Sequence, residues 1–192
     1  MKPFVAMLCL ATTSALAAPM TYTIDERHTF PSFEISHFGF STYRGRFDRT
    51  SGTITLDQEK KTGSADVTID AASISTGVAK LDEHLKSAEF FDVAKFPTIT
   101  FEGDGFKFKG DKLKSVSGEL TIHGVTKPVT LTIVNFKCAD HPMKKVPACG
   151  ADAETTIKRS EFGVSTYSPN VGEEVKLEIQ VEAAAGGAKP LP

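Results

Sequence analysis

Apolar and polar residues alternate along most of the chain. Thr53-Ile54-Thr55-Leu56, Asp66-Val67-Thr68-Ile69-Asp70 and Thr98-Ile99-Thr100-Phe101-Glu102 follow a period of two. So do Glu119-Leu120-Thr121-Ile122-His123, Val129-Thr130-Leu131-Thr132-Ile133 and Val175-Lys176-Leu177-Glu178-Ile179-Gln180-Val181. Successive side chains of a strand point to opposite faces, so the pattern predicts antiparallel strands with one dry face and one wet face. Their content of Thr, Ile and Val favours strands over helices. Turn residues separate them: Lys61-Thr62-Gly63, Gly103-Asp104-Gly105, Lys109-Gly110-Asp111-Lys112 and the segment from His123 to Pro128.

One stretch departs from this period. Val78, Leu81, Leu85 and Ala88 fall at i, i+3, i+7 and i+10, which predicts a helix over 78–88. Pro97, with Phe96 before it, marks the return to extended chain. A single helix among roughly eight strands predicts a barrel or sandwich with one helical insertion over an end, because closure removes edge strands. Drawn as one straight strand, residues 28–47 put Phe33, Ile35, His37, Gly39, Ser41, Tyr43, Gly45 and Phe47 on one side. Phe38 and Phe40 fall on the other side with polar neighbours, and are expected under a covering element or at a rim. His28 and His37 point to opposite faces, which argues against a two-histidine metal pair here.

Both ends of the chain are expected to lie outside the fold. Met1-Lys2 brings a positive charge, Phe4 to Leu10 is an apolar run, and Ala15-Leu16-Ala17 is an A-x-A cleavage signature. This is the layout of a secretory signal peptide, with an apolar run too short to span a bilayer. Cleavage is expected after Ala17, since cutting after Ala18 would set Pro19 beside the scissile bond. Lipoprotein processing at Cys9 is the rival, but Leu8 before it is not a small residue. The tail from Ala183, rich in Ala, Gly and Pro, reads as frayed. Loss of residues 1–17 removes Cys9 and leaves Cys138 and Cys149, an even pair in an oxidising compartment. The segment between them contains Pro142 and Pro147 and reads as a loop joining two strands. A disulfide there is expected to staple a long hairpin connection, adding at most about 3 kcal/mol. A redox pair, or a metal site with His141, is the alternative, although the spacing does not match C-x-x-C.

Composition narrows the function. The chain has 192 residues, enough for one domain with a sizeable core. Its 22 Lys and Arg against 24 Asp and Glu give a formal charge of −2, with no electrostatic footprint for nucleic acid. There are 14 Phe and no Trp. No G-x-S-x-G, H-E-x-x-H, Walker loop, C-x-x-C-H or G-x-G-x-x-G occurs. The histidines at 28, 37, 84, 123 and 141 are scattered and read as capping or structural groups. Asp82 and Glu83 are adjacent and, on a helix, do not face each other. Nothing assembles a nucleophile, a base and an oxyanion donor, so neither an enzyme nor a cofactor or metal is expected.

The run from His84 to Phe101, with Glu89-Phe90-Phe91-Asp92 at its centre and Phe96-Pro97 near its end, resembles the signature segment of YceI-like proteins. So do Gly118 to Val129, the opening Asp25 to His37 with Gly45 and Phe47, and Arg159-Ser160-Glu161-Phe162-Gly163. Order and spacing match over about residues 20–183. Pro31 departs from the apolar residue usual there and is expected to mark a bulge or an edge. The resemblance implies an all-β, extended lipocalin-like barrel of eight antiparallel strands; with the ends read above, the expected division is 1–17 signal peptide, 18–183 barrel and 184–192 flexible tail. It also implies a periplasmic carrier holding a long amphiphilic lipid, such as a polyisoprenoid, an isoprenoid quinone or a fatty-type chain. A homodimer and a transient contact with the inner membrane are compatible with that reading.

An eight-stranded barrel leaves room for its own side chains or for one slender ligand. The candidate lining residues are Phe33, Ile35, Phe47, Val67, Ile69, Phe90, Phe91, Ile99, Phe101, Leu120, Ile122 and Leu131. Phe90 and Phe91 are expected to close one end. His37, Tyr43 and Arg159 are candidates for a polar headgroup, with Arg159 equally a surface or framework salt-bridge residue. The alternatives are a hydrolase or isomerase using His37 as base, and a solid barrel acting in stress response through its outer surface.

Overall fold

A computed structural model describes residues 18–186. The expected signal peptide and residues 187–192 of the expected tail lie outside the described residues. The elements are β1 (Met20–Ile24), β2 (Phe30–His37), β3 (Ser41–Phe47), β4 (Thr50–Asp57), β5 (Thr62–Asp70), β6 (Ile74–Ser75), α1 (Ala79–Lys86), β7 (Thr98–Lys109), β8 (Lys112–Ile122), β9 (Val125–Asp140), β10 (Pro147–Lys158) and β11 (Val171–Ala185). Short 3-10 turns occupy Ala71–Ser73 and Arg159–Phe162.

Eight strands close into an antiparallel ring, in the order β1, β4, β5, β7, β8, β9, β10, β11 and back to β1. This is the barrel that the resemblance implies, with the single helical insertion that the residue pattern predicts for a barrel or sandwich. β1 reaches only the last residues of β11, Ala183 to Ala185. The rest of that edge pairs with β2, which carries β3 and then β6 outward. The chain from β6 to β7 bears α1 and covers this end, the mouth. The opposite end has a floor of Tyr22, Ile24, Leu56 and Ala183, packed with Phe106 and Phe136.

Several local expectations need correction. Residues 28–47 form a hairpin, reversing through Phe38-Gly39-Phe40. Because that loop has an odd length, face parity survives: His37 opposes Ser41, Ile35 opposes Tyr43, and Phe33 opposes Gly45. Of the two places expected for Phe40, a covered site or a rim, it takes the rim, at the tip of this hairpin and 93% exposed. Gly103-Asp104-Gly105 is not a turn but a β-bulge inside β7, where the register against β8 slips. The turn expected over His123 to Pro128 shrinks to His123-Gly124, whose φ values of 52° and 73° suit a two-residue hairpin between twisted strands.

The helix runs only from Ala79 to Lys86, with Val78 as its N-cap and Ala88 in the turn beyond it. The loop expected over Ala139–Ala148 is trimmed at both ends to residues 141–146, since β9 reaches Asp140 and β10 begins at Pro147. Cys138 faces Cys149 directly in the ladder, and the disulfide between them is a cross-strand rung with Cα atoms 4.1 Å apart. Fraying does not begin at Ala183. β11 continues to Ala185, with Ala184 paired to Thr23 on one side and Ala148 on the other. Pairing on both edges overrides the weak strand propensity of alanine.

Candidate functional site

The barrel is hollow. A cavity of about 590 Å³ extends from above the floor to the mouth, roughly four times the ~150 Å³ of an engineered protein cavity that takes up benzene. Left void, that space would cost on the order of 10 kcal/mol at ~24 cal/mol per Å³, comparable with the whole stability of a domain.

Strand register stacks the lining into layers. Val67 opposes Phe101, which opposes Leu120, and Ile69 opposes Ile99. A period-two pattern carried in register across three strands sends all of these side chains to the same side. Ile122 on β8 and Leu131 on β9 continue the wall, and Phe33, Ile35, His37, Tyr43 and Phe47 come from the β2–β3 hairpin. Gly45 makes room there, since a Cβ at that position would sit 2.5 Å from Cζ of Phe33. The Phe33 and Phe47 rings are 6.2 Å apart, and Phe47 meets Phe91 nearly edge-on at 5.7 Å. Phe90 and Phe91 enter from turns after α1, where the Phe90 and Asp92 N–H groups donate to the Ser87 carbonyl. Every lining or headgroup candidate named from the sequence, Arg159 included, borders this one cavity.

The sequence reading missed as much again. Val175, Leu177, Ile179 and Val181 of β11 line the wall, as do Leu81 and Leu85 of α1. The alternation of β11 was visible, but nothing in it distinguished this strand from its neighbours. Pro31 lines the cavity one residue before the β2–β3 ladder begins at Ser32, so its missing N–H breaks no bond to β3.

Polar groups concentrate near the mouth. His37 packs its ring edge-on against Phe38 at 4.7 Å and against Tyr43 at 5.5 Å; its carbonyl accepts the Phe40 N–H, and among the described residues its ring nitrogens have no hydrogen-bond partner. Deeper in, Thr29 Oγ1 donates to the Glu182 carbonyl, while Thr50 Oγ1 is buried without a partner. Arg159 is 6% exposed. Its Nε donates to the Gly172 carbonyl at 2.8 Å, Nη1 to those of Val164 and Thr166, and Nη2 to that of Val171. Burial lowers its pKa and Glu173 opposes that shift; an arginine nevertheless stays charged. The fork is occupied by backbone, so Arg159 acts as a framework clamp on the 164–172 segment rather than as a headgroup ligand. It is also not the salt-bridge residue considered from the sequence, because its partners are carbonyls. Among the described residues no three His, Cys, Asp or Glu side chains are grouped to hold a metal.

Residues 22–183 match the family described as the YceI-like domain. The protein named YceI of Salmonella arizonae is 42% identical over 180 residues, covering 92% of each chain. The crystal structure of a Campylobacter jejuni YCEI protein superposes with a TM-score of 0.68 at 31% identity, over 80% of this chain and 91% of that one. Burkholderia cenocepacia BcnA gives 0.72 at 26% identity, over 83% and 99%. A polyisoprenoid binding domain from Saccharophagus degradans shares the fold, with a TM-score of 0.67 at 18% identity, over 86% and 99%.

Proposed function

This chain belongs to the YceI-like family, and from that premise we propose that it is a periplasmic binding or carrier protein which holds one long-chain amphiphilic lipid and does not transform it. The observation that carries the reading is the cavity of about 590 Å³, walled mainly by Phe, Ile, Leu and Val. Such a wall offers few hydrogen bonds, so it selects for apolar length rather than for headgroup chemistry. Burying a chain gains about 0.8 kcal/mol per CH₂, or about 8 kcal/mol gross for ten, less the cost of ordering it. That is enough to hold a molecule water will not dissolve.

Polarity at the mouth sets the orientation: the tail lies toward the floor and the headgroup toward His37 and Tyr43. Binding is favoured over turnover because His37 lacks the orienting partner a general base needs. A hollow interior also removes the reason for reading the barrel as a solid scaffold. The ligand class proposed is a polyisoprenoid, an isoprenoid quinone or a comparable fatty chain. The test is mass spectrometry of organic extracts from protein purified from its native compartment. A prenyl or fatty chain is expected in stoichiometric amount, and is lost in Phe101→Asp. Folded protein that yields no lipid from any preparation would overturn the proposal.

A further inference from the structure

Of the seven exposed large hydrophobic side chains among the described residues, four lie around the mouth of the cavity, while Met20, Val134 and Met143 stand singly elsewhere. Phe40, at the tip of the β2–β3 hairpin, is 93% exposed, and Phe38 beside it is 51% exposed. Tyr167 and Val78 are exposed around the same opening. The pieces are joined. The Phe38 N–H donates to the Asn170 carbonyl at 2.8 Å, tying the hairpin tip to the segment that carries Tyr167. The Tyr167 ring in turn meets His84 of α1 at 6.2 Å and Phe90 at 6.1 Å. Phe38 and Tyr167 also line the cavity, so these two side chains belong both to the interior wall and to the exposed rim. Both residues hold left-handed backbone, with φ of 52° and 61°, a conformation bulky side chains avoid unless the surroundings impose it.

We propose that this rim docks the mouth onto a lipid bilayer, with Phe40 and Phe38 entering the interface so that cargo passes between membrane and cavity without crossing water. The proposal rests on the lipid-binding reading, because only a bilayer holds such cargo at useful concentration. A three-residue tip is too small for the ~800 Å² per partner of a stable protein interface, whereas a few aromatic and aliphatic groups suffice for interfacial anchoring. Near the rim Arg44 pairs with Glu34 at 2.6 Å, Lys86 with Glu83 at 3.0 Å, and the His84 ring hydrogen-bonds Glu89 at 2.6 Å, while Lys80 of α1 is exposed with no ion-pair partner among the described residues. The exposed apolar side chains, rather than this one cation, drive the docking, so it should need no anionic lipid and resist salt.

The chain contains no Trp, so Phe40→Trp places a single fluorophore at the tip, and Met143→Trp places one on the exposed loop at the opposite end. With phosphatidylcholine vesicles, Phe40→Trp emission is expected to shift to the blue, to be quenched by brominated acyl chains, and to persist at about 1 M salt, where the Debye length is ~3 Å. Met143→Trp is expected not to respond. Phe40→Asp should slow transfer of a fluorescent prenol between vesicles roughly tenfold or more, the worth of one buried aromatic, without altering the lipid recovered by extraction. A silent Phe40→Trp, an equal response at both reporters, or a shift driven by protein concentration alone, which would put a second copy on the tip, would each overturn the docking. Lipid in the extract with a silent Phe40→Trp defeats docking alone; vesicle insertion by a protein whose cavity is always empty defeats the carrier reading and leaves docking standing.

Discussion

The two ends of the barrel are built from the same alternating strands and differ in what holds them. At the floor, Tyr22, Ile24, Leu56 and Ala183 are each 3% exposed, and the Cys138–Cys149 rung ties β9 to β10. The buried Asp25 carboxylate accepts Lys144 Nζ at 2.6 Å and Arg27 Nε at 3.2 Å, fastening the β9–β10 hairpin loop to the junction of β1 and β2. At the mouth, α1 has no fully buried residue, the ion pairs are solvated, and aromatic rings face outward. One end is organised for stability and the other for access, which is what a container with a single opening requires.

The largest test of that contrast is Tyr22→Ala. It should destabilise the fold by about 3–5 kcal/mol in urea unfolding, as large-to-small changes in a packed core do, whereas Leu85→Ala on half-buried α1 should cost less than half as much. Equal costs would break the comparison. Next, Cys138→Ala/Cys149→Ala should lower stability by at most about 3 kcal/mol and reduce the melting temperature, while lipid content by extraction stays unchanged because the rung lies far from the mouth.

A finer effect belongs to acid. Burial alone would raise the Asp25 pKa, but hydrogen bonds from Arg27 and Lys144 and the charge of Lys144 hold it well below the ordinary 3.8. Folding lowers this pKa, so the stabilisation is present above about pH 3.8 and is lost as pH falls below it. Asp25→Asn should flatten the stability profile below about pH 4 relative to the parent; an unchanged acid limb would show that the pair is not the floor's electrostatic tie. The smallest effect is at the rim. Glu34→Gln removes the exposed pairing with Arg44 and should change stability by under about 0.5 kcal/mol, since solvated ion pairs contribute little.

Much of the wall was legible beforehand because strand geometry is local. Once Phe101 alternates with Thr100 and Glu102, its side is decided whatever the partner strand. Phe33, Ile35 and His37 kept their side even though the chain turns back at Phe38-Gly39-Phe40, because an odd loop preserves parity. Readings that depended on composition alone fared worse. Gly103-Asp104-Gly105 looks like a turn and is a bulge. Ala183-Ala184-Ala185 looks like a tail and is a strand held on both edges. The clamp made by Arg159 could not be anticipated, since its four carbonyl partners become neighbours only when the 164–172 segment folds around it.

What the sequence by itself determined is the sidedness of each strand, because a repeat of two residues depends only on bonded geometry. Whether the inward rows of opposite walls would touch was decided by the tertiary structure alone. That depends on how many strands close the ring and how they are staggered, which sets the distance across it. Here the distance exceeds what these side chains can fill, and a cavity remains.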